Sequence, residues 1–144
     1  MNNLSDALKK VLSDTFLMYF KTHAFHWNVE GSDFVQYHKF LNELYDELFG
    51  AVDAIAEQIR TLDVYAPISL KELLDNSLVE EETDIVTKTE MFSKLLTDND
   101  LVVVSLMQAY KEAEDASELG ISNFLQDRID IHNKHGWMLR SITK

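Results

Sequence analysis

Four residues with metal-binding side chains form two separate pairs along this chain. His26 and His38 are twelve residues apart, and Asp53 and Glu57, four apart, place two carboxylates on one face of a helix. If one helix carries both His38 and Asp53, they differ by ~60° around its axis but by ~22 Å along it. Side chains that far apart cannot bind one metal ion. The spacing therefore predicts a histidine half-site and a carboxylate half-site.

A second copy of the chain can complete both half-sites. Two copies packed antiparallel about a two-fold axis bring each histidine half onto the partner's carboxylate half. Two imidazoles and two carboxylates suit Fe(II), Zn(II) or Mn(II), and a sparse ligand set leaves positions for water and an oxidant. Di-iron bundles instead hold both ions within one chain through Glu-x-x-His pairs. No such pair occurs in the sequence, so we do not expect an internal di-iron centre.

The composition predicts one globular domain over residues 1–144. Apolar residues make up 46% and charged residues 26%, and one Pro and four Gly favour long helices. The absence of Cys excludes disulfides and thiolate metal sites. The N-terminus lacks the apolar stretch of a signal peptide and no apolar run is long enough to span a bilayer, so a cytoplasmic protein without membrane contact is expected. A net charge of −12 repels DNA and anionic lipid.

Hydrophobic periodicity predicts four long helices. They cover about residues 4–28, 34–62, 84–116 and 121–142. Ser32 or Asp33 is the expected N-cap of the second helix, and Gly120 the expected turn residue before the last. A polar stretch over residues 97–100 interrupts the third pattern, but it contains no Gly or Pro, so we predict one continuous helix.

A long connection over residues 63–83 separates the second and third helices. Within it, Ser69 and Glu72 form a capping-box pattern that predicts a short helix over residues 70–74. Such a crossover lets the second and third long helices run in the same direction. The acidic run over residues 80–84 is expected to be a solvated helix start. The predicted fold class is an all-α four-helix bundle with a short extra helix in the crossover between helices 2 and 3.

The motifs together resemble the Dps-type miniferritins of the ferritin-like family. The first part of the resemblance is His26-Trp27-Asn28-Val29-Glu30-Gly31, then Phe34, His38, Asp53 and the run to Glu57. The second is Asp127-Arg128-Ile129, His132, Lys134 and Trp137-Met138-Leu139 in the last helix. With the crossover and its short helix, the likeness covers almost the whole chain.

The resemblance implies a ferritin-like fold and a hollow shell of twelve identical subunits. It implies ferroxidase activity that oxidises Fe(II), with hydrogen peroxide preferred over dioxygen, and stores ferric mineral. The ligands it implies are His26 and His38 of one subunit with Asp53 and Glu57 of the partner subunit. Trp27 matches the family's tryptophan beside the site, which intercepts oxidising equivalents. A plain interface aromatic is the alternative for Trp27.

One position departs from the family's pattern. Asn42 stands where the family commonly has an acidic residue, and an amide adds no charge. We therefore expect a weak or transient second iron position, with Asp46 as a conceivable substitute ligand. Near the start of the last helix the resemblance places a three-fold pore for incoming iron. Asp127 and Asp130 are the candidates there, with a solvated helix face as the alternative.

Two alternative functions remain for this sequence. A DNA-compacting shell is one alternative, but the absence of Lys-rich tails and the acidic charge argue against direct DNA binding. A zinc-stabilised structural cage is the other, since the same ligands accept zinc.

His132 and His135 are close enough in a helix to share a metal, although two exposed histidines near a helix end are the simpler expectation. His23 is expected to be a packed histidine.

Overall fold

The structure is a computed structural model and is described over residues 2–144. The described helices are α1 (Asn2–Asn28), α2 (Phe34–Thr61), α3 (Leu70–Asn76), α4 (Lys88–Asp115) and α5 (Leu119–Thr143). No strand occurs within residues 2–144, and the all-α prediction is confirmed. In that same range, no helix combines the length and apolar character needed to cross a membrane.

Contacts between the long helices fix their relative directions. Short turns join α1 to α2 and α4 to α5, so each pair is antiparallel. Between α1 and α4, Lys21 pairs with Asp98 and Asp14 pairs with Ser105. Residue numbers thus rise along α1 as they fall along α4, which makes those helices antiparallel. It follows that α2 and α4 run in the same direction, as the long crossover predicted.

The core lies between the four long helices and is built from large aliphatic side chains. The fully buried ones include Leu8 and Met18 of α1, Leu41 and Ile55 of α2, Leu95 and Leu106 of α4, and Leu125 of α5. Each such side chain contributes about 1.5–3 kcal/mol when it leaves water. Packing of these apolar stripes therefore stabilises the helices more than intrinsic helix propensity does.

The crossover is fixed to α1 by the buried carboxylate of Asp14. Its Oδ1 accepts hydrogen bonds from the Leu78 amide at 2.6 Å and the Ser77 hydroxyl at 2.8 Å. Its Oδ2 accepts a short hydrogen bond from the Ser105 hydroxyl of α4. One side chain thus holds together α1, α4 and the segment that follows α3.

The N-cap residues of α3 and α2 differ in whether their side chains make a cap hydrogen bond. The Ser69 hydroxyl accepts from the Glu72 amide at 3.1 Å, which confirms the predicted N-cap of α3. Asp33 is the N-cap of α2, which confirms one of the two predicted alternatives, but its φ of 63° is left-handed and its side chain makes no cap hydrogen bond. The preceding Gly31 has a φ of 104°, which favours glycine.

The start of α4 lies later in the chain than predicted. Thr87 is the N-cap of a full capping box, in which its hydroxyl accepts from the Glu90 amide and the Glu90 carboxylate accepts from the Thr87 amide. The acidic run precedes this box and is not helical, so its interpretation as a helix start was wrong. One of its members, Glu82, forms an ion pair with Lys94 of α4.

The end of α4 also differs from expectation. Ser117, with a φ of 57°, is the left-handed residue, and the Glu118 amide donates back to the Ala113 carbonyl at 2.9 Å. This is the bond of a Schellman motif, made with serine in place of glycine. Gly120 lies inside the first turn of α5, so its prediction as the turn residue was wrong.

Candidate metal half-sites

His26 near the end of α1 and His38 near the start of α2 hold each other in place. Nδ1 of each ring lies 2.7 Å from the main-chain carbonyl oxygen of the other residue. The rings stack with centroids 3.7 Å apart and planes at 15°. Because a carbonyl oxygen can only accept, both Nδ1 atoms carry the hydrogen. Nε2 is thereby left as the nitrogen of each ring that can bind a metal, the usual arrangement of a metal-ligating histidine.

Aromatic rings surround this histidine pair. Phe34 stacks on His38 with ring centroids 5.0 Å apart. Trp27 is 58% exposed, and its ring centroid lies 6.4 Å from that of Phe20, which is also exposed. His26 itself is buried and His38 is partly buried, while Phe34 and Trp27 next to them are exposed.

His23 is a packed histidine, as predicted. Its Nδ1 lies 3.0 Å from the Tyr19 hydroxyl oxygen, and its ring stacks on Tyr45 at 3.8 Å and 8°. Burial and the neighbouring His26 lower the pKa of His23, while Asp46 opposes them. Burial is the main cause that raises the pKa of Tyr19.

The carboxylate half-site lies at the other end of α2. Asp53 and Glu57 are both exposed, one turn apart. Because α2 is continuous, the structure keeps them ~22 Å along the axis from His38. Within residues 2–144 no three His, Asp or Glu side chains are grouped to hold a metal ion. Asp127 and Asp130 are both exposed on α5, and their place in a pore stays a prediction.

Asn42 lies between the two half-sites with its amide already hydrogen-bonded. Its Nδ2 donates to Asp46 Oδ2 at 2.9 Å, and its Oδ1 accepts from the Tyr45 hydroxyl at 3.0 Å. The amide oxygen of Asn42 therefore faces the Tyr45 hydroxyl rather than a vacant metal position. Asp46 is exposed, and one of its carboxylate oxygens is held by Asn42.

The expectation that His132 and His135 are two exposed histidines was wrong, because His132 is completely buried. Arg128 can only donate, so its Nη2, 3.0 Å from His132 Nε2, makes that nitrogen an acceptor. His132 Nδ1 then donates to Asn99 Oδ1 at 2.8 Å. With both ring nitrogens occupied, His132 does not share a metal with His135. Burial lowers the pKa of His132 well below its ordinary value.

Glu47 of α2 completes this buried network. It pairs with Arg128 through two hydrogen bonds and accepts from His135 Nε2 at 2.8 Å. Burial alone would raise the pKa of Glu47, but the hydrogen bonds from His135 and Arg128 lower it to about 2. Sequence reasoning missed the network because its members come from three helices. The one local signal was Arg128 four residues before His132, on the same helix face.

Four long helices with a crossover helix between the second and third define the ferritin-like class of bundle. The family profile of the ferritin-like domain matches residues 5–144. The chain belongs to this family. Membership gives it a general role in iron storage and in protection against oxidative stress.

Individual relatives match along nearly the whole chain. An uncharacterised low temperature-induced protein of Nostoc is 31% identical over 93% of this chain and 76% of its own length. DNA protection during starvation protein 2 of Bacillus anthracis is 29% identical over 94% of this chain and 93% of its own length. The crystal structure of a DPS protein from Vibrio cholerae superposes with a TM-score of 0.95 at 26% identity, covering 99% and 90% of the two chains. That protein is described as a member of a superfamily of ferritin-like diiron-carboxylate proteins. With these relatives, the chain is a Dps-type miniferritin.

Proposed function

We propose that this chain is the ferroxidase subunit of an iron-storage shell. It oxidises Fe(II), with hydrogen peroxide as the preferred oxidant, and retains the ferric product as mineral inside a closed assembly of twelve copies. His26 and His38 of one subunit bind the iron together with the partner's Asp53 and the partner's Glu57. The observation that carries the proposal is the reciprocal hydrogen bonding of His26 and His38, which leaves Nε2 of each ring as the nitrogen that can bind a metal.

The chemistry of the donors fits Fe(II) as a substrate. Two neutral imidazole nitrogens and two carboxylates bind a borderline-hard divalent ion, and the carboxylates balance its charge. Coordination positions not filled by protein remain for water and peroxide. Two Fe(II) ions each give one electron to one hydrogen peroxide, which with two protons yields two waters. The diiron-carboxylate description of the Vibrio cholerae protein is consistent with this substrate.

The surface around the half-sites supports a two-fold interface. Phe20, Trp27 and Phe49 each expose half or more of their area on the α1–α2 pair. Exposed apolar surface of this kind marks interaction sites. A two-fold axis near residue 45, midway between His38 and Asp53, brings each His38 opposite the partner's Asp53. The same packing would cover the exposed aromatic surface.

Anaerobic Fe(II) titration followed by peroxide, with native mass measurement, tests the proposal. The expected result is a twelve-subunit particle that oxidises Fe(II) and retains the Fe(III). A zinc-stabilised cage would instead bind metal with little turnover. Phe49→Asp should prevent pairing and Fe(II) oxidation together, whereas Val104→Asp, on an equally exposed part of α4, should assemble. Circular dichroism would confirm that both variants are helical. A monomer with the full oxidation rate would overturn the proposal.

A further inference from the structure

Beside the histidine half-site, Tyr19 and His23 form a hydrogen-bonded pair one turn apart on α1. The hydroxyl oxygen and Nδ1 are 3.0 Å apart. His23 lies between Tyr19 and Trp27, with ring centroids 5.7 Å and 4.5 Å away. A chain of close rings therefore leads from the indole of Trp27 to the half-buried phenol of Tyr19.

The direction of this hydrogen bond follows from acidity. A phenol is a stronger acid than a neutral imidazole N–H, so the Tyr19 O–H donates and His23 Nδ1 accepts. Tyr45 is equally near, stacked on His23 at 3.8 Å, but its hydroxyl donates to the amide oxygen of Asn42. An amide oxygen is a very weak base. Of the two tyrosines, Tyr19 alone has a basic partner for its proton.

We propose that Tyr19 reduces oxidised Trp27 by one electron while His23 accepts the phenolic proton. Tyr19 is thus the redox-active residue at the end of this path, and His23 is its proton acceptor. The proposal deepens the proposed ferroxidase function and rests on it for the source of the oxidant. This transfer moves single oxidising equivalents from Trp27, next to His26, to a tyrosyl radical at the half-buried Tyr19.

The electrons and protons balance at each step. One Fe(II) reduces hydrogen peroxide to hydroxide and a hydroxyl radical, which is the required one-electron oxidant. That radical takes an electron from Trp27 and becomes hydroxide, which then removes the indole proton to form water. The tryptophanyl radical takes an electron from Tyr19 and a proton from water, while the phenolic proton moves to His23 Nδ1. A further Fe(II) reduces the tyrosyl radical, and His23 returns the proton.

Pulse radiolysis of the iron-free assembled protein tests the electron transfer directly. Azidyl radicals oxidise tryptophan in preference to tyrosine, and a Trp137→Phe background leaves Trp27 as the only tryptophan. The tryptophanyl absorbance should decay as tyrosyl absorbance grows, at a rate independent of protein concentration. Tyr19→Phe should slow this growth by about tenfold or more, equivalent to ~1.4 kcal/mol of barrier. Tyr45→Phe, the matched control, should retain it.

Proton acceptance by His23 has its own readouts. His23→Gln keeps a hydrogen-bonding side chain without the basic nitrogen and should slow tyrosyl growth, and D2O should slow the parent. After Fe(II) and peroxide, mass spectrometry should find more oxidised Trp27 in Tyr19→Phe than in Tyr45→Phe.

Equal tyrosyl growth in Tyr19→Phe, or loss of growth only in Tyr45→Phe, would each overturn the proposal. Equal growth in His23→Gln, or no slowing in D2O, would overturn the role of His23. Because the radiolysis uses no iron, its failure would leave the ferroxidase proposal intact. Failure of Fe(II) oxidation would likewise leave the measured electron transfer intact.

Discussion

The Nδ1 of His26 lies 2.7 Å from the main-chain carbonyl oxygen of His38, and the reverse pair has the same separation. Each ring is thereby oriented by the backbone of the other residue's helix. The end of α1 and the start of α2 thus hold the two imidazoles of the proposed histidine half-site against each other. The carboxylate half-site has no such support, since Asp53 and Glu57 are exposed on the surface of α2.

Complementation between defective subunits should reveal a shared site. His38→Ala and Asp53→Ala should each remove most rapid Fe(II) oxidation and leave the shell assembled, because each destroys one half of every site. In a mixed shell, an interface between the two variants pairs one intact histidine half with one intact carboxylate half. Stopped-flow Fe(III) absorbance should then show partial recovery. Lys39→Ala, an exposed neighbour, is the control, and verified mixed shells without recovery would contradict sharing.

Glu47 should make stability depend on pH in an acidic window. The pKa of folded Glu47 is about 2, below its ordinary 4.5, so its charge stabilises the fold above pH 4.5. That contribution, on the order of 3 kcal/mol, is lost as pH falls from 4.5 towards 2. Glu47→Gln also leaves Arg128 buried without its charge partner, so about 3 kcal/mol of destabilisation is expected at neutral pH.

Urea unfolding at several pH values measures this effect. The difference in free energy of unfolding between parent and Glu47→Gln should shrink between pH 4.5 and 2. Glu43→Gln, an exposed change on the same helix, should stay close to the parent throughout. A gap for Glu47→Gln that does not vary with pH would contradict the assignment of the ion pair.

Asp14 should be needed to hold the crossover against the bundle. Asp14→Ala leaves the Leu78 amide and the Ser105 hydroxyl without their acceptor, and should lower the free energy of unfolding by about 3 kcal/mol or more. Ser105→Ala removes one of these bonds and should cost about 1 kcal/mol. Hydrogen exchange at the Leu78 amide should accelerate only in the first variant. The exposed Asp6→Ala is the control, and unchanged exchange in Asp14→Ala would argue against this role.

Periodicity predicted the helices well, including a continuous α4 through residues 97–100, whereas the contacts of polar residues with partners on another helix were not predicted. The stretch over residues 97–100 looked like a break, yet Asp98 and Asn99 are buried and bind Lys21 of α1 and His132 of α5. No local pattern contains those partners. The start of α4 could have been predicted from the sequence, because the Thr87 capping box is a local pattern. It was overlooked because the acidic run just before it was interpreted as the helix start.

The separation of the two proposed half-sites was predictable for a geometric reason. Their separation follows from helix rise alone, and the continuous α2 keeps it. The network around Glu47 was not predictable, since it needs the register between α2, α4 and α5. Register depends on how whole helix faces pack, which no single segment encodes.

Charge limits the number of metal ions that each proposed site can bind. In the proposed site, Asp53 and Glu57 would together neutralise one divalent ion, and the imidazoles of His26 and His38 would add no negative charge to it. A second ion nearby would meet repulsion with little to offset it. The Asn42 oxygen already accepts from Tyr45, and its amino group holds Asp46. We therefore expect one ion bound tightly per site and a second bound weakly or not at all.

Asn42→Asp should strengthen the second binding step. The new carboxylate adds charge and removes the hydrogen bond that now holds Asp46, four residues further along α2. Because the two carboxylates repel each other, both can turn towards an ion. Calorimetric titration with Zn(II), which is redox-stable, would resolve the two steps. Asn133→Asp adds the same charge at an exposed position of α5 and should leave both steps unchanged. Two equally tight ions per site in the parent protein would refute the charge argument and make Asp46 the first residue to test as a further ligand.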